Sequence, residues 1–205
     1  MGTVGLLYVG AVLFINSLML LGKVNVKSAG IFNLFIGTMQ VITPFYLILT
    51  AKGDAWAIFN ASGVFLFGLT YLYVGITNLT GYDGSGVGWY SLWVAVMAVG
   101  YGMVSFVQFQ DVKFGIIWLM WAFLWTLFFL LLGLKKDIAK FTGWVTLIQA
   151  WITATIPAYL TLIGIWDSVG NAAAYGTAIL CAAFFVIIYY GTRVSGKTGF
   201  KPIQR

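Results

Sequence analysis

The 205-residue chain contains no histidine and no glutamate, a single cysteine and only three prolines. Without histidine there is no imidazole to serve as a general base, a metal ligand or a switch between pH 5 and 8. The lone Cys181 cannot close an internal disulfide or build a thiolate metal cluster. No cofactor, metal site or catalytic residue is therefore expected. Charge is scarce as well: eleven Lys or Arg and five Asp make up 8% of the chain, against about 25% in ordinary soluble proteins. With 61% hydrophobic residues, too little polar surface remains to coat a globule in water, which excludes a soluble enzyme. An enzyme working inside a membrane fails for want of a nucleophile with its base. What remains is an all-α polytopic membrane protein.

A bilayer core of roughly 30 Å needs about 20 apolar residues per helix. Cutting the chain where charges and Gly, Asn or Asp clusters interrupt the apolar runs predicts seven spans, at 3–21, 29–51, 55–79, 89–108, 114–134, 143–165 and 172–190. Short connections leave no room for a soluble domain. The first run lacks a basic leader and a small-residue cleavage site and is long enough to span, so it reads as a retained helix. The organisation that follows is a six-helix bundle over 1–166, an additional helix over 167–191 and a basic tail over 192–205.

Short cytoplasmic loops accumulate Lys and Arg. Lys23, Lys27, Lys135, Lys136, Lys140, Arg193, Lys197, Lys201 and Arg205 all fall on one face of a seven-span protein, and only Lys52 and Lys113 fall on the other. This places the N-terminus outside and the tail in the cytoplasm. The formal charge of +6 is then an anchoring bias toward anionic lipid headgroups, and a nucleic-acid partner is not needed. Short repeats accompany the spans: Tyr8-Val9-Gly10 returns as Tyr73-Val74-Gly75, and Pro44-Phe45-Tyr46-Leu47 as Pro157-Ala158-Tyr159-Leu160. Duplicated hairpins around a common axis leave such traces, and chance in a restricted alphabet also produces matches this short.

Asp54, Asp83, Asp111, Asp137 and Asp167 all lie in loops or at helix ends. A transporter driven by protons or sodium places an ionisable group near the midplane, and none is present. A retinal protein needs a Schiff-base lysine within a helix, whereas the nearest candidate, Lys113, is at a boundary. Uncharged polar residues do enter the spans: Asn16, Asn33, Gln40, Asn60, Thr70, Asn78, Gln149, Thr153 and Thr155. They serve either as hydrogen-bonding glue between helices or as the lining of a cavity. Gln149, mid-helix and eight residues before Pro157, has the stronger claim to a pathway.

The aromatic residues form a pattern. Phe114, Trp118, Trp121 and Trp125 follow spacings of four, three and four and share one stripe of the fifth span, and Phe67 and Tyr71 lie one turn apart on the third. Trp usually collects at membrane interfaces, yet Trp121 and Trp125 fall near mid-span. One reading is aromatic packing between helices. The other is a narrow slot between ring faces that admits flat neutral molecules and refuses ions. Indole N–H groups and the Gln149 amide would replace the hydrogen bonds a solute loses on entry. Urea and small amides are planar, uncharged and rich in donors and acceptors.

Taken together and in order, Gly5 to Leu13, Phe67 to Tyr73, Trp89 to Leu92, Trp118 to Trp125 and Ile156 to Tyr159 resemble the AmiS/UreI family of bacterial urea and short-chain amide channels, over about the first 166 residues. The resemblance implies three helical hairpins around a pore in each protomer, a homo-hexamer and passive uptake across the inner membrane. It also implies that Leu6, Leu13, Phe67, Tyr71, Trp118, Trp121 and Trp125 line or constrict the pore. To these the polar and aromatic pattern adds Asn16, Phe114 and Gln149. Three features depart from the family: Gln149 replaces a buried glutamate, Phe114 stands where a Trp can occur, and the first loop on the outer face shrinks to Lys52, Gly53 and Asp54. With no histidine, acid gating has no titrating group. The expectation is an ungated channel for urea or short aliphatic amides feeding a cytoplasmic urease or amidase. The rival reading is a non-conducting membrane scaffold that recruits such an enzyme through its basic tail. The seventh helix, rich in small residues around Cys181, lies beyond the resemblance and is placed outside the pore.

Overall fold

The loop residues that interrupt the apolar runs act as helix caps. The computed structural model describes residues 2–197, with side chains to Thr192. It contains seven long helices: α1 (Gly2–Leu20), α2 (Val26–Thr50), α3 (Ala55–Thr80), α4 (Ser85–Val107), α5 (Val112–Gly133), α6 (Ala139–Leu162) and α7 (Asn171–Lys197). Each carries a stretch long and apolar enough to cross a membrane, and no strand occurs among the described residues. The Asn25 side chain accepts from the backbone N–H of Lys27 and Ser28, Asp54 accepts from Trp56 and Ala57, and Asp111 accepts from Phe114. Each satisfies donors that the first helical turn leaves free. Gly81, at φ 77°, closes α3 in the left-handed conformation that suits glycine. The α4 and α6 helices begin one turn earlier than the apolar runs suggest, because Ser85-Gly86 and Ala139-Lys140 are helical in spite of their polarity.

Close backbone approach, rather than complementary charge, holds the helices together, as expected where lipid removes any hydrophobic drive between them. The α2 helix runs along α3 and α4 along α5, while α1 lies against α6 and closes the ring of pairs. On the α2–α3 seam Gly30 faces Gly75, and Gly37 faces Leu72. A Cβ at Gly37 would stand 2.7 Å from the Leu72 backbone nitrogen, and one at Gly68 would stand 2.8 Å from the Gln40 carbonyl carbon. The duplicated Tyr-Val-Gly segments have matching jobs: Gly75 meets α2 and Gly10 meets α6. Each lets an odd helix press onto its even partner.

Two helices carry wider turns. The α6 helix is π-helical over Ala150–Thr155, immediately before Pro157. Proline has no N–H to give to the carbonyl four residues back, and Thr155 Oγ1 donates to the Ala150 carbonyl at 2.8 Å within the wide turn. The last turn of α5, Phe129–Gly133, is also π-helical. At the lysine-rich end, Lys135 Nζ donates to Asp83 Oδ2 at 2.9 Å between exposed side chains. Hydrogen bonds from Ser85 and then from Lys135 hold the Asp83 carboxyl well below the usual carboxylate range. An exposed pair of this kind adds little stability. The α7 helix packs against α5 and α6, and only 11% of its span is buried, against 33–44% in the other six. It flanks the bundle and does not enter its centre. Of the basic tail, residues 198–205 lie outside the described residues.

Candidate functional site

Two cavities lie end to end inside the ring of helix pairs. The first, about 280 Å³, sits toward the N-terminal end of α1 and is lined by Leu6, Val9, Gln40, Gly63, Phe114 and Trp118, among others. The second, about 340 Å³, sits toward the lysine-rich face and is lined by Leu13, Asn16, Thr70, Tyr71, Ser91 and Trp125, among others. Phe67 and Trp121 line both. They form the septum where the two meet. Among the described residues, no Asp, Lys or Arg lines either cavity.

The septum is built from rings locked against one another. Phe67 meets Trp121 edge-on, with centroids 4.8 Å apart, and lies 4.8 Å from Trp125 and 6.1 Å from Trp118. Trp118 and Trp121 meet at 5.0 Å, nearly perpendicular. Phe67, Trp121 and Trp125 are all buried. Helical spacing on α5 brings the tryptophans to one side, and the bare Gly63 on α3 gives Trp118 room: a Cβ there would stand 3.1 Å from its ring. Tyr101 on α4 stacks on the other face of the site, 4.6 Å from Trp118 and 4.5 Å from Phe59.

The orientation of Trp121 is set from α6. Its indole Nε1 donates to Thr153 Oγ1 at 2.9 Å, and Thr153 Oγ1 donates to the Gln149 carbonyl at 2.6 Å. Thr153 belongs to the π-helical turn that precedes Pro157, so a distortion imposed by proline presents the acceptor that a buried indole requires. At the N-terminal-end cavity the roof is Trp166, from the α6–α7 connection. Lys113 Nζ donates to its carbonyl at 2.9 Å and lies 4.8 Å over its ring, and Phe114 meets it edge-on at 5.9 Å.

Nine of the ten residues singled out in the sequence therefore line one or both cavities. Leu6, Phe114 and Trp118 face the first, Leu13, Asn16, Tyr71 and Trp125 the second, and Phe67 and Trp121 both. Asn16 is also engaged elsewhere, exchanging two side-chain hydrogen bonds with Asn33 of α2, at 3.0 and 2.6 Å. Gln149 corrects the expectation. It is fully buried, its Nε2 donates to the Met120 carbonyl at 3.0 Å, and it faces a third cavity between α5, α6 and α7. A mid-helix position sets depth and not direction, and this side chain points to the flank of α5. Gln40, Thr153 and Tyr101 take parts that the pattern did not assign. The first two were visible only as polar residues in a span, and nothing in the sequence marks Tyr101 as the ring beneath Trp118.

An apolar lane with polar spots, walled by helices of membrane-spanning length and lined by no Asp, Lys or Arg among the described residues, is the geometry of a multi-pass membrane transport protein. The profile of the AmiS/UreI family transporters matches residues 1–165, and the chain belongs to that family. It is 52% identical to a protein of Rhodococcus erythropolis named as transporter protein AmiS2, over 85% of each chain. A Mycolicibacterium smegmatis protein named as an amidate substrates transporter is 47% identical, over 98% of this chain and 95% of that one. The acid-activated urea channel of Helicobacter pylori strain J99 is 32% identical, over 78% of this chain and 97% of that one. The crystal structure of the H. pylori urea channel superposes with a TM-score of 0.73 at 34% identity, covering 81% of this chain and 99% of that one.

Proposed function

We propose that the protein is a passive channel for urea and short-chain aliphatic amides, working without a coupling ion. The observation that carries this reading is the pair of cavities meeting at the Phe67–Trp121 septum, with no Asp, Lys or Arg among the described residues on either wall. An ion entering such a lane gives up its hydration without replacement, whereas a flat neutral amide slides between ring faces and exchanges water for scattered side-chain groups. Weak, dispersed contacts favour conduction over retention. Relatives named for amidate transport and for urea conduction support the solute class. Leu6, Leu13, Phe67, Tyr71, Phe114, Trp118, Trp121 and Trp125 line the route and Asn16 borders it. Gln149 acts behind it, bracing α6 against α5.

The lysine-rich face is cytoplasmic in this reading, the N-terminus is outside, and the protein is a bacterial inner-membrane homo-hexamer feeding a cytoplasmic urease or amidase. Gating by acid has no device here: the α2–α3 connection is the tight turn around Lys52 and Gly53, both with positive φ, and the chain has no histidine. Proteoliposome shrinkage assays comparing urea, acetamide and glycerol test the proposal. Fast urea or acetamide flux, linear in concentration and indifferent to sodium or proton gradients, is expected. Trp125→Ala should change the rate or the solute preference. Flux no faster than in protein-free liposomes would refute the channel.

A further inference from the structure

The end of α6 throws a ring back over the N-terminal-end cavity. Gly164, at φ 78°, turns the chain, its N–H donating to the Thr161 carbonyl at 3.1 Å while the Ile165 N–H donates to the Leu160 carbonyl at 3.0 Å. A glycine in the left-handed conformation closes the helix, and one tight turn, Trp166–Ser168, follows directly. The family profile stops at residue 165, so this ring belongs to the stretch that leads into α7. A single side chain grips it twice. Lys113 Nζ, from the first turn of α5, donates to the Trp166 carbonyl at 2.9 Å and lies 4.8 Å over the Trp166 ring. Phe114, the next residue on α5, meets the same ring edge-on at 5.9 Å.

The cavity beneath runs from an open end to the septum: Asn60 and Thr161 on its wall are exposed, whereas Val9, Phe67 and Trp121 are buried. At the open end Gly2, Thr3, Asn60 and Thr161 are small or polar, and Trp166 and Phe114 are the bulky groups there among the described residues. A tryptophan that only anchors a helix at the membrane surface turns outward, as the exposed Trp89, Trp93 and Trp151 do. Trp166 is instead half-buried, with its ring on the cavity wall. We infer that Trp166 is the residue that sets the upper limit on solute bulk: with Phe114 it forms an entrance that passes urea and acetamide and turns back branched amides. Lys113 is the positioning residue that keeps the ring over the mouth, fixing both its backbone and its face. A wall of this kind discriminates by bulk, one methylene being worth about 10–200-fold in an apolar pocket.

This inference rests on the channel reading, and the test separates the two. The wild type, Trp166→Ala, Trp166→Phe, Lys113→Met and Lys113→Arg are compared in proteoliposomes, using acetamide and isobutyramide, with the flux of protein-free liposomes subtracted. The ratio of isobutyramide to acetamide permeability should rise by about tenfold in Trp166→Ala, the lower end of the range for one methylene. It should rise by a smaller factor in Trp166→Phe, which keeps a ring in the connection and decides the matter if the alanine variant does not fold. Lys113→Met keeps the apolar stem, loses the donor and the charge, and should also raise the ratio. Lys113→Arg should keep the wild-type ratio, because a guanidinium can both bond the carbonyl and lie over the ring. If Trp166 were only an anchor for the connection, the variants would unfold more readily in mixed micelles and would scale both fluxes alike. An unchanged ratio in conducting Trp166 variants overturns the inference and leaves the channel reading standing, as does a wild type that passes isobutyramide as fast as acetamide. A Lys113→Arg ratio as high as that of Lys113→Met overturns the positioning role. A wild type that conducts neither solute overturns the inference and the channel reading together.

Discussion

Replacing Thr153 by valine keeps the volume and branching of the side chain and removes the one atom that accepts from the Trp121 indole at 2.9 Å. Both residues are buried, Thr153 at 0% and Trp121 at 3% exposure, so water does not supply a substitute. Interhelical hydrogen bonds in membrane proteins average about 0.6 kcal/mol and reach about 1.7, and stranding a buried donor costs about 1–3 kcal/mol. Thr153→Val should therefore destabilise the protein by about 1–2 kcal/mol, read as the shift in SDS-induced unfolding in mixed micelles. Trp121→Phe removes the donor and leaves the Thr153 hydroxyl bonded to the Gln149 carbonyl. The double variant should accordingly be more stable than the two single losses predict, by about 1 kcal/mol, well above the 0.3–0.5 kcal/mol scatter of independent sites. The Thr153→Val septum should also lose its fixed ring, so the ratio of urea to glycerol flux should drop. Additive losses in the double cycle, together with an unchanged flux ratio, would refute the claim that α6 orients the septum.

Gly10→Ala should lower the amount of folded protein, because the new Cβ would lie 2.9 Å from the Thr155 backbone nitrogen and 3.0 Å from the Ala150 carbonyl oxygen. Overpacking of this kind costs about 1–3 kcal/mol, and size-exclusion yield in detergent measures it. Urea flux should stay level between pH 5 and 7.5, since no histidine is present and the Asp83 carboxyl is held below the usual range. A depressed carboxyl contributes its stability above its unfolded pKa and loses it only as the pH falls through the folded value, which lies below this window. A severalfold change in stopped-flow light-scattering rates across that interval would contradict this. Deleting Gly196–Arg205 should leave flux intact, whereas a full-length protein that conducts neither urea nor acetamide and loses a bound cytoplasmic enzyme on this deletion would favour the scaffold reading.

The arrangement of this protein was legible in the chain to unequal depths. The aromatic stripe could be read because helical spacing is local: residues four, three and four apart on α5 must share a side, and Phe67 with Tyr71 must do the same on α3. The two glutamines show where that reasoning stops. Gln40 and Gln149 both lie deep in apolar spans, and by position along the chain Gln149, close to a proline, has the better claim. Packing reverses their parts, turning Gln40 to the cavity and Gln149 to the flank of α5. The pairing of α1 with α6 depends on Gly10 meeting a widened turn that only the folded α6 displays.

Composition and hydropathy alone determined that the chain spans a membrane seven times, keeps its charges in loops and at helix ends and carries no group able to titrate near neutrality inside its spans. Those properties follow from transfer free energies that each residue contributes wherever its helix points. Tertiary structure decided which side chains face the lane, that two cavities meet at Phe67 and Trp121, and that Thr153 holds the indole. Such facts depend on the rotation and closeness of helices far apart in sequence, which backbone contact at glycines and the wide turn before Pro157 settle together.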